Sequence, residues 1–513
     1  MATTQTQIHE THDGDLPRHT RVAIVGSGFG GMGMAIRLKQ AGIEDFVMFE
    51  RADDVGGTWQ ANTYPGCQCD VPSHLYSFSF ALNPDWSRTF SLQPEIWDYL
   101  RQVARDHDVY RHVRFEHDVT GAAWDEASAG WRLQTSGGEF TADVLVGAMG
   151  GLSEPSIPDI PGLESFEGKS FHTASWDHGH NLTGKRVAVV GTGASTIQVV
   201  PNIAPLVDRL VLFQRTPPWV MPHRDRPISR WERRLYRVFP FAQRAVRTAV
   251  YWARELFVLP FLHPRLARGP ERVARRHLRT QVPDRELRRK VTPGFRFGCK
   301  RVLLSNDYYP ALSRDNVEVE TTGIAEIRPR SIVTSEGVEH EVDTIIFGTG
   351  FQVTSPPATQ RIRGRDGRLL AEHWHGSPRA HLGTTIAGFP NLFMLLGPNT
   401  GLGHNSVVLM VESQIAYVMD ALRAMDARGI ASVDVRPEAQ AAFADEMQRR
   451  MKDTVWMTGG CASWYLDSTG RNSTLWPGST WSYRLRTRRF DFANYAVTGR
   501  RPAGASAPEP VAA

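Results

Sequence analysis

A βαβ unit that appears twice leaves this chain few ways to fold. Residues 21–25 (RVAIV) form a short β-branched run that stops at a glycine cluster, Gly26-Ser-Gly28-Phe-Gly-Gly31. A helical pattern follows through Met32, Ala35, Ile36 and Leu38, and then a second apolar run at 46–50 (FVMFE). The order recurs at 186–215, where RVAVV leads into Gly191-Thr-Gly193-Ala-Ser195-Thr196, a helical stretch through Ile197 and Val200, and RLVLFQR. A strand feeding a glycine turn and a helix is the unit of a parallel sheet covered by helices. A chain of 513 residues has room for two or three domains. Two such units predict an α/β protein with two dinucleotide-binding (Rossmann-like) domains rather than a solenoid.

The two turns differ where it matters for a ligand. Glycines at the turn allow a sharp reversal and let backbone approach a pyrophosphate at the helix N-terminus. In the first unit the second strand ends on Glu50, 22 residues beyond Gly28, where a carboxylate can bind both hydroxyls of an adenosine ribose. In the second, the same count from Gly193 reaches Arg215, preceded by Gln214 and followed by Thr216. A carboxylate repels a 2′-phosphate, whereas arginine binds it bidentately. Gly26, Gly28, Gly31 and Glu50 are therefore expected to hold FAD. Gly191, Gly193, Ser195, Thr196, Arg215 and Thr216 are expected to hold NADPH, with Thr196 in place of the third glycine loosening the helix–strand contact.

Between Arg224 and Arg301 arginine becomes dense among apolar residues at helical spacing, which predicts a helical insert in the second domain. The net charge of +5 is concentrated there and does not by itself imply nucleic acid. Within the insert, 245–262 (AVRTAVYWARELFVLPFL) is apolar yet carries Arg247, Arg254 and Glu255. Three charges make a spanning helix expensive. A core helix is expected instead, with contact to a membrane surface as the alternative. Four cysteines, Cys67, Cys69, Cys299 and Cys461, are too few and too scattered for a disulfide framework and lack C-x-x-C spacing. Cys67 and Cys69 are expected to be a reduced packing pair. No histidine has metal-ligand spacing, so no metal is expected. Residues 1–19 lack the apolar stretch of an export signal and are expected to be a disordered leader, with 500–513 a disordered tail. A cytoplasmic location follows as an expectation.

Between the two turns lies Phe166-Glu-Gly168-Lys-Ser-Phe-His172-Thr-Ala-Ser-Trp176-Asp177. It matches, at every fixed position, the F-x-G-x-x-x-H-x-x-x-W-(P/D) fingerprint of the type I Baeyer–Villiger flavoprotein monooxygenases, and the resemblance extends over almost the whole chain. Gly56-Gly57-Thr58-Trp59 and Asn62-Thr-Tyr64-Pro65-Gly66-Cys-Gln-Cys-Asp70, with Ser73 and Tyr76, are similar to that family's flavin-contacting stretch. The resemblance implies FAD contacts at Thr58, Trp59, Asp70 and Tyr76, with the backbone of Val119 near the adenine. Lys300-Arg301 followed by Tyr308-Tyr309 resembles the segment whose lysine serves NADPH and whose arginine sits over the flavin ring. Cys461-Ala-Ser463-Trp464-Tyr465 resembles the segment whose tryptophan hydrogen-bonds the nicotinamide cofactor. Gly397-Pro398-Asn399, leading into a helix at Ser406, is expected to aim a helix N-terminus at the flavin, with Asn399 beside it.

The family's chemistry implies conversion of a ketone to an ester or lactone with O2 through a C4a-peroxyflavin. An anionic peroxide in a water-poor pocket needs a fixed cation, the role expected of Arg301, with Asp70 orienting the guanidinium. His172 and Trp176 are expected to couple domain motion to NADPH binding rather than to do chemistry. The expected partners are a small ketone and O2, with no nucleic acid and no stable membrane insertion, though surface contact is possible; the sequence leaves the oligomeric state open. Two alternatives stand beside this reading: a flavin N- or S-monooxygenase, in whose fingerprint the tryptophan is replaced, and a membrane-surface flavoprotein using the basic insert. The expected organisation is a leader (1–19), an FAD-binding domain (20–155 and 386–499), an NADPH-binding domain (156–222 and 300–385) with a helical insert (223–299), and a tail (500–513).

Overall fold

A computed structural model describes residues 18–500; most of the expected leader and tail lie outside the described residues. The first βαβ unit is β1 (His19–Val25), α1 (Phe29–Gln40) and β2 (Phe46–Phe49). Its first strand thus begins inside the stretch read as leader. Val22, Ala23, Ile24 and all of β2 are buried, as apolar strands covered on both faces must be. β3 (Val113–Arg114) extends the sheet beyond β2. On the other side β4 (Val119–Asp125), β5 (Gly130–Thr135) and β6 (Gly138–Gly147) form an antiparallel meander whose last strand runs parallel to β1.

The chain then builds a second sheet. It contains β7 (Lys169–His172), β8 (Arg186–Val190), α2 (Ala194–Ile203) and β9 (Arg209–Phe213). The insert follows as α3 (Arg230–Val238), α4 (Pro240–Leu256), α5 (Val258–Leu262) and α6 (Arg268–Gln281). β10 (Val317–Glu320) and, after a small antiparallel flap, β11 (Thr344–Phe347) complete a parallel sheet of order β10-β9-β8-β11-β7. The return is made by β12 (Ile362–Arg363), which pairs with β4, β13 (Leu392–Met394), which pairs with β6, and α7 (Val407–Arg428), which packs on α1. Outgoing and returning linkers cross side by side: Ser156 N donates to Gly350 O (2.9 Å) and Gln352 N to Glu154 O (3.0 Å).

Two expectations change here. The second domain was expected to run to residue 385, but Ile362, Leu370 and Trp374 bury with Trp131 and Leu133 in the first domain's core. The chain is back by β12, and no regular period in this stretch marks the crossing. The core-helix expectation for 245–262 holds only in part: Val246, Val250 and Tyr251 pack against the core, and Val258 and Phe261 are buried. α4 buries Gln243, Arg247 and Glu255 and exposes Phe241, Trp252 and Leu256. Periodicity reveals an apolar face without saying which way it points. No helix among the described residues is long and apolar enough to cross a membrane.

The substitution of Thr196 for the third glycine has a structural answer. A Cβ on Gly31 would lie 1.9 Å from the Gly26 carbonyl oxygen, so the first turn tolerates no side chain. At the second turn space comes from the opposite side, since a Cβ on Gly348 would lie 2.0 Å from Thr196 Oγ1. Gly348→Ala is therefore expected to destabilise the protein by about 1–3 kcal/mol through overpacking. Thr196→Ala in that background removes the clashing hydroxyl and should recover most of the loss, a coupling measured by urea unfolding of both single variants and the double.

Candidate active site

The first glycine turn forms a cradle closed to any Cβ. Gly26 has φ +98 and sits where a Cβ would lie 2.7 Å from Ala148 O. A Cβ on Gly57 would come within 2.9 Å of Gly28 Cα, so the stretch before Thr58 lies against the turn. α1 starts at Gly28 with no side-chain cap and no acidic residue in its first turn, which leaves backbone N–H groups for an anion. Glu50 is buried beside the turn, its Oε2 accepting from Ser27 N (2.8 Å) and Ser27 Oγ (2.7 Å). Val119 borders a hollow of about 20 Å³ with Val25, Leu145 and Met149. Trp59 Nε1 donates to Tyr76 OH (3.1 Å), and the rings meet edge-on at 5.6 Å. Asn399 is buried, its Nδ2 donating to Asn472 O (2.8 Å) and Leu475 O (3.0 Å), so its amide nitrogen holds the C-terminal stretch.

The second turn repeats the first. Gly26 N donates to Phe49 O (2.8 Å), and Gly191 N to Phe213 O (3.0 Å). α2 likewise starts at a glycine, Gly193, without a side-chain cap or an acidic first turn. Thr192 Oγ1 donates to Thr216 O (2.8 Å), which ties the turn to the end of β9. Ser195 lies beside the Tyr64 hydroxyl, which donates to Gln198 Oε1 (3.0 Å), so α2 docks on the first domain's flavin-like stretch. Arg215 is exposed, and Lys300 is half-buried over the Phe295 ring at 5.3 Å. Burial lowers the Lys300 ammonium below its usual value, and the charge of Arg215 lowers it further. Two neighbouring cations without a carboxylate partner among the described residues suit a phosphate.

Asp70 and Arg301 meet across the two domains. Arg301 Nε donates to Asp70 Oδ2 (2.7 Å) and Nη2 to Oδ1 (2.6 Å), a bidentate pair. The side chains remain 32% and 26% exposed, for Arg301 and Asp70 respectively, so a ligand can reach them. Burial pushes the Asp70 carboxyl upward, yet the Arg301 charge and hydrogen bond, with Arg254 nearby, hold it below the usual range. The Asp70 charge in turn raises Arg301. Burial also raises Cys69 and Tyr76, and Tyr465 to about 12, so all three stay neutral near the pair.

The fingerprint occupies the edge of the second sheet. Gly168 is required by space, because a Cβ there would lie 2.5 Å from Asp343 O and 2.6 Å from the Phe166 ring. Trp176 packs edge-on against Phe171 (5.1 Å), and Asp177 pairs with Lys169 (2.8 Å). His172 Nδ1 accepts from Ala174 N (3.1 Å), and its ring meets Phe351 of the returning linker at 5.6 Å. Burial pushes His172 down to about 4. These contacts lie in the second domain and at the domain crossing, and none of them is made with Asp70 or Arg301.

Three features escaped the sequence reading. Cys299 and Cys461 form a disulfide, contrary to the expectation of scattered thiols; residues far apart in sequence meet because the 461–465 segment folds onto 299–301. This places Trp464, exposed and with its ring tilted against Tyr465 at 4.4 Å, beside the segment carrying Lys300 and Arg301. Cys67 and Cys69 are free and buried. Arg254 Nη2 donates to Asp70 O (2.7 Å), adding a second guanidinium at the pair. Its signal was present, since Arg247, Arg254 and Glu255 lie seven and eight positions apart, on one helix face. Finally, among the described residues Glu318, Glu320 and His340 come close enough to hold a cation. Glu318 is committed to Arg209 (2.6 Å), and Glu320 Oε1 accepts from Thr322 N (2.8 Å).

The flavin-binding monooxygenase-like family matches residues 19–232. Over 507 residues the chain is 52% identical to a Baeyer-Villiger monooxygenase of Streptomyces coelicolor, covering 98% of this chain and 96% of that protein. The solved structure of cyclohexanone monooxygenase from Rhodococcus sp. Phi1 bound to NADP+ gives a TM-score of 0.83 at 30% identity, over 94% of this chain and 100% of that one. OTEMO in complex with FAD and NADP gives 0.84 at 28%, over 93% and 99%.

Removing the two free cations, by Arg215→Gln with Lys300→Met, is expected to weaken NADPH binding about 10- to 100-fold per lost phosphate contact. NADH binding should be largely unchanged, and titration of both dinucleotides by calorimetry separates the effects. His172 gives a pH signature. Its folded value near 4 lies below the ordinary 6.5, so the unfolded chain binds more protons between these limits. The stability is intact above pH 6.5 and falls as the pH drops to about 4, by about 3 kcal/mol in all. His172→Asn should therefore lose less stability than the parent on acidification, read from thermal unfolding across that range.

Proposed function

We infer that this chain, which belongs to the Baeyer–Villiger monooxygenases of the flavin-binding monooxygenase-like family, converts a ketone to an ester or lactone with O2 and NADPH, using FAD. The glycine cradle, the uncapped start of α1 and the carboxylate of Glu50 fit an adenine dinucleotide without a 2′-phosphate. Arg215 and Lys300 fit one that carries it. Bound FAD, reduced by NADPH, supplies the activation of O2.

The observation that carries the reading is the bidentate Arg301–Asp70 pair with Arg254 behind it. Arg301 keeps its charge at any working pH and, partly open, meets negative charge that develops on the substrate carbonyl oxygen. Asp70 holds the guanidinium in orientation without neutralising the surplus from Arg254. Glu50 accepts from the adenosine ribose of FAD, with Thr58, Trp59 and Tyr76 along the flavin, Val119 near the adenine, and the Asn399 turn at its ring edge. Arg215, Lys300 and the Gly191–Thr196 turn hold NADPH. Trp464 offers its indole N–H to the same dinucleotide, on a segment tied by the disulfide to Lys300. His172, at the end of the edge strand against the linker, and Trp176, packed on Phe171 of that strand, transmit dinucleotide binding to the domain crossing.

Arg301→Ala is expected to lower ester formation from a ketone panel by about 10²–10³-fold, with FAD content and NADPH affinity retained. Arg301→Lys should recover only part of this, since an ammonium lacks the planar fork. Ester formation at the parental rate in Arg301→Ala would remove Arg301 from the mechanism.

A further inference from the structure

The insert wears its polarity reversed. On α4 the polar residues Gln243, Arg247, Arg254 and Glu255 point inward, where they hold the flavin-like stretch and the α7 cap. Arg247 Nη1 donates to His74 O (2.6 Å) and Ser77 Oγ (3.2 Å), and Glu255 accepts from Asn405 Nδ2 (2.7 Å) and Thr480 N (3.1 Å). The opposite face carries Phe241, Ala245, Thr248, Trp252 and Leu256, a helical stripe in which Phe241 is 69%, Trp252 54% and Leu256 67% exposed. α3 adds Trp231 at 78%, with Leu235 and Val238, and the turn residue Phe257 and Leu259 of α5 extend the face. Phe241 and Trp252 alone stand about 16 Å apart along the axis. Exposed apolar stripes of this size mark an interaction surface.

Within the insert the exposed charge has one sign, while Asp85, from the first domain's loop, pairs with Arg237 (2.5 Å). Every charged residue at an exposed position between 230 and 279 is an arginine, from Arg230, Arg234 and Arg237 on α3 to Arg272, Arg276 and Arg279 on α6. The three carboxylates in that span are not exposed: Glu232 pairs with Arg226, Glu271 with Arg275, and Glu255 is buried. A cleft of about 210 Å³ at the foot of the face is lined by Phe80, Leu82, Tyr236 and Pro240, with Arg237 and Arg244 in its walls.

We propose that α3, α4 and the start of α5 dock the protein on an anionic lipid surface. The aromatic and aliphatic side chains lie at the boundary of headgroups and acyl chains, and the arginines bind the headgroup phosphates. A second copy of the chain is the poorer occupant, because a two-fold interface would set this cationic rim against itself. No segment inserts across the bilayer; the contact is interfacial.

The test is sedimentation of the FAD-loaded protein with phosphatidylglycerol-containing vesicles and with pure phosphatidylcholine vesicles. Binding to the first, weakened by salt and much lower on the second, is expected. Arg234→Gln with Arg244→Gln, two exposed arginines on this face, should lower partitioning on the order of 25-fold, about fivefold per arginine. Trp252→Glu with Leu256→Glu should abolish it while NADPH-dependent turnover in solution persists, which reports an intact fold. Three outcomes overturn the proposal. These are no sedimentation with anionic vesicles, binding unaffected by Trp252→Glu with Leu256→Glu, or a dimer in sedimentation velocity that those substitutions dissociate.

Discussion

The ion pair between Asp70 and Arg301 organises this molecule. Its carboxylate comes from the first domain's loop and its guanidinium from the irregular segment that follows the insert, just before Leu303. Placing two ions in a part-buried setting costs more than their attraction returns unless their geometry is good and their other bonds are made. Both oxygens of Asp70 accept from one guanidinium, and its backbone carbonyl accepts from another, Arg254. Cys69, Tyr76 and Tyr465 are kept protonated by burial. Two guanidiniums against one carboxylate leave a standing positive charge that no nearby group can titrate away. A site so arranged is prepared for an anion before one arrives.

Both domains converge on this point through α2. Gln198 binds Tyr64 and the Gln68 backbone, so the helix that begins at the second glycine turn is also the floor of the first domain's loop. From the other side α4 grips the same loop through Arg247 and Arg254. The inverted polarity of α4 follows from that: its polar face is engaged inward, which leaves the apolar face to solvent or to whatever covers it.

How much was legible depended on whether the constraint was local. The glycine turns and the contrast between Glu50 and Arg215 could be read directly, because a turn, a helix start and a strand end lie within one short stretch. The charge partner of Arg301 was legible only through resemblance, since the two residues are far apart in sequence. Room for Thr196 comes from Gly348, on a different strand, and no spacing links them. The joining of Cys299 to Cys461 depends on a loop closing over 299–301, which composition cannot reveal. The second boundary was misplaced because 352–385 has no period, although it packs on the first sheet. α4 was correctly seen as apolar with embedded charges, but a pattern with two unlike faces has two ways to dock.

The nesting of one sheet within the other sets an order of assembly on the ribosome. The second sheet is drawn from one continuous span, β7 to β11, and can close as soon as that span emerges. The first cannot: β13 joins β6 only after the whole inserted domain has been made. Until then the inner strands of the amino-terminal half lie with an open edge and an uncovered α1, the condition that invites mispairing and chaperone capture. Truncations late in the chain should therefore damage the earliest-made residues most.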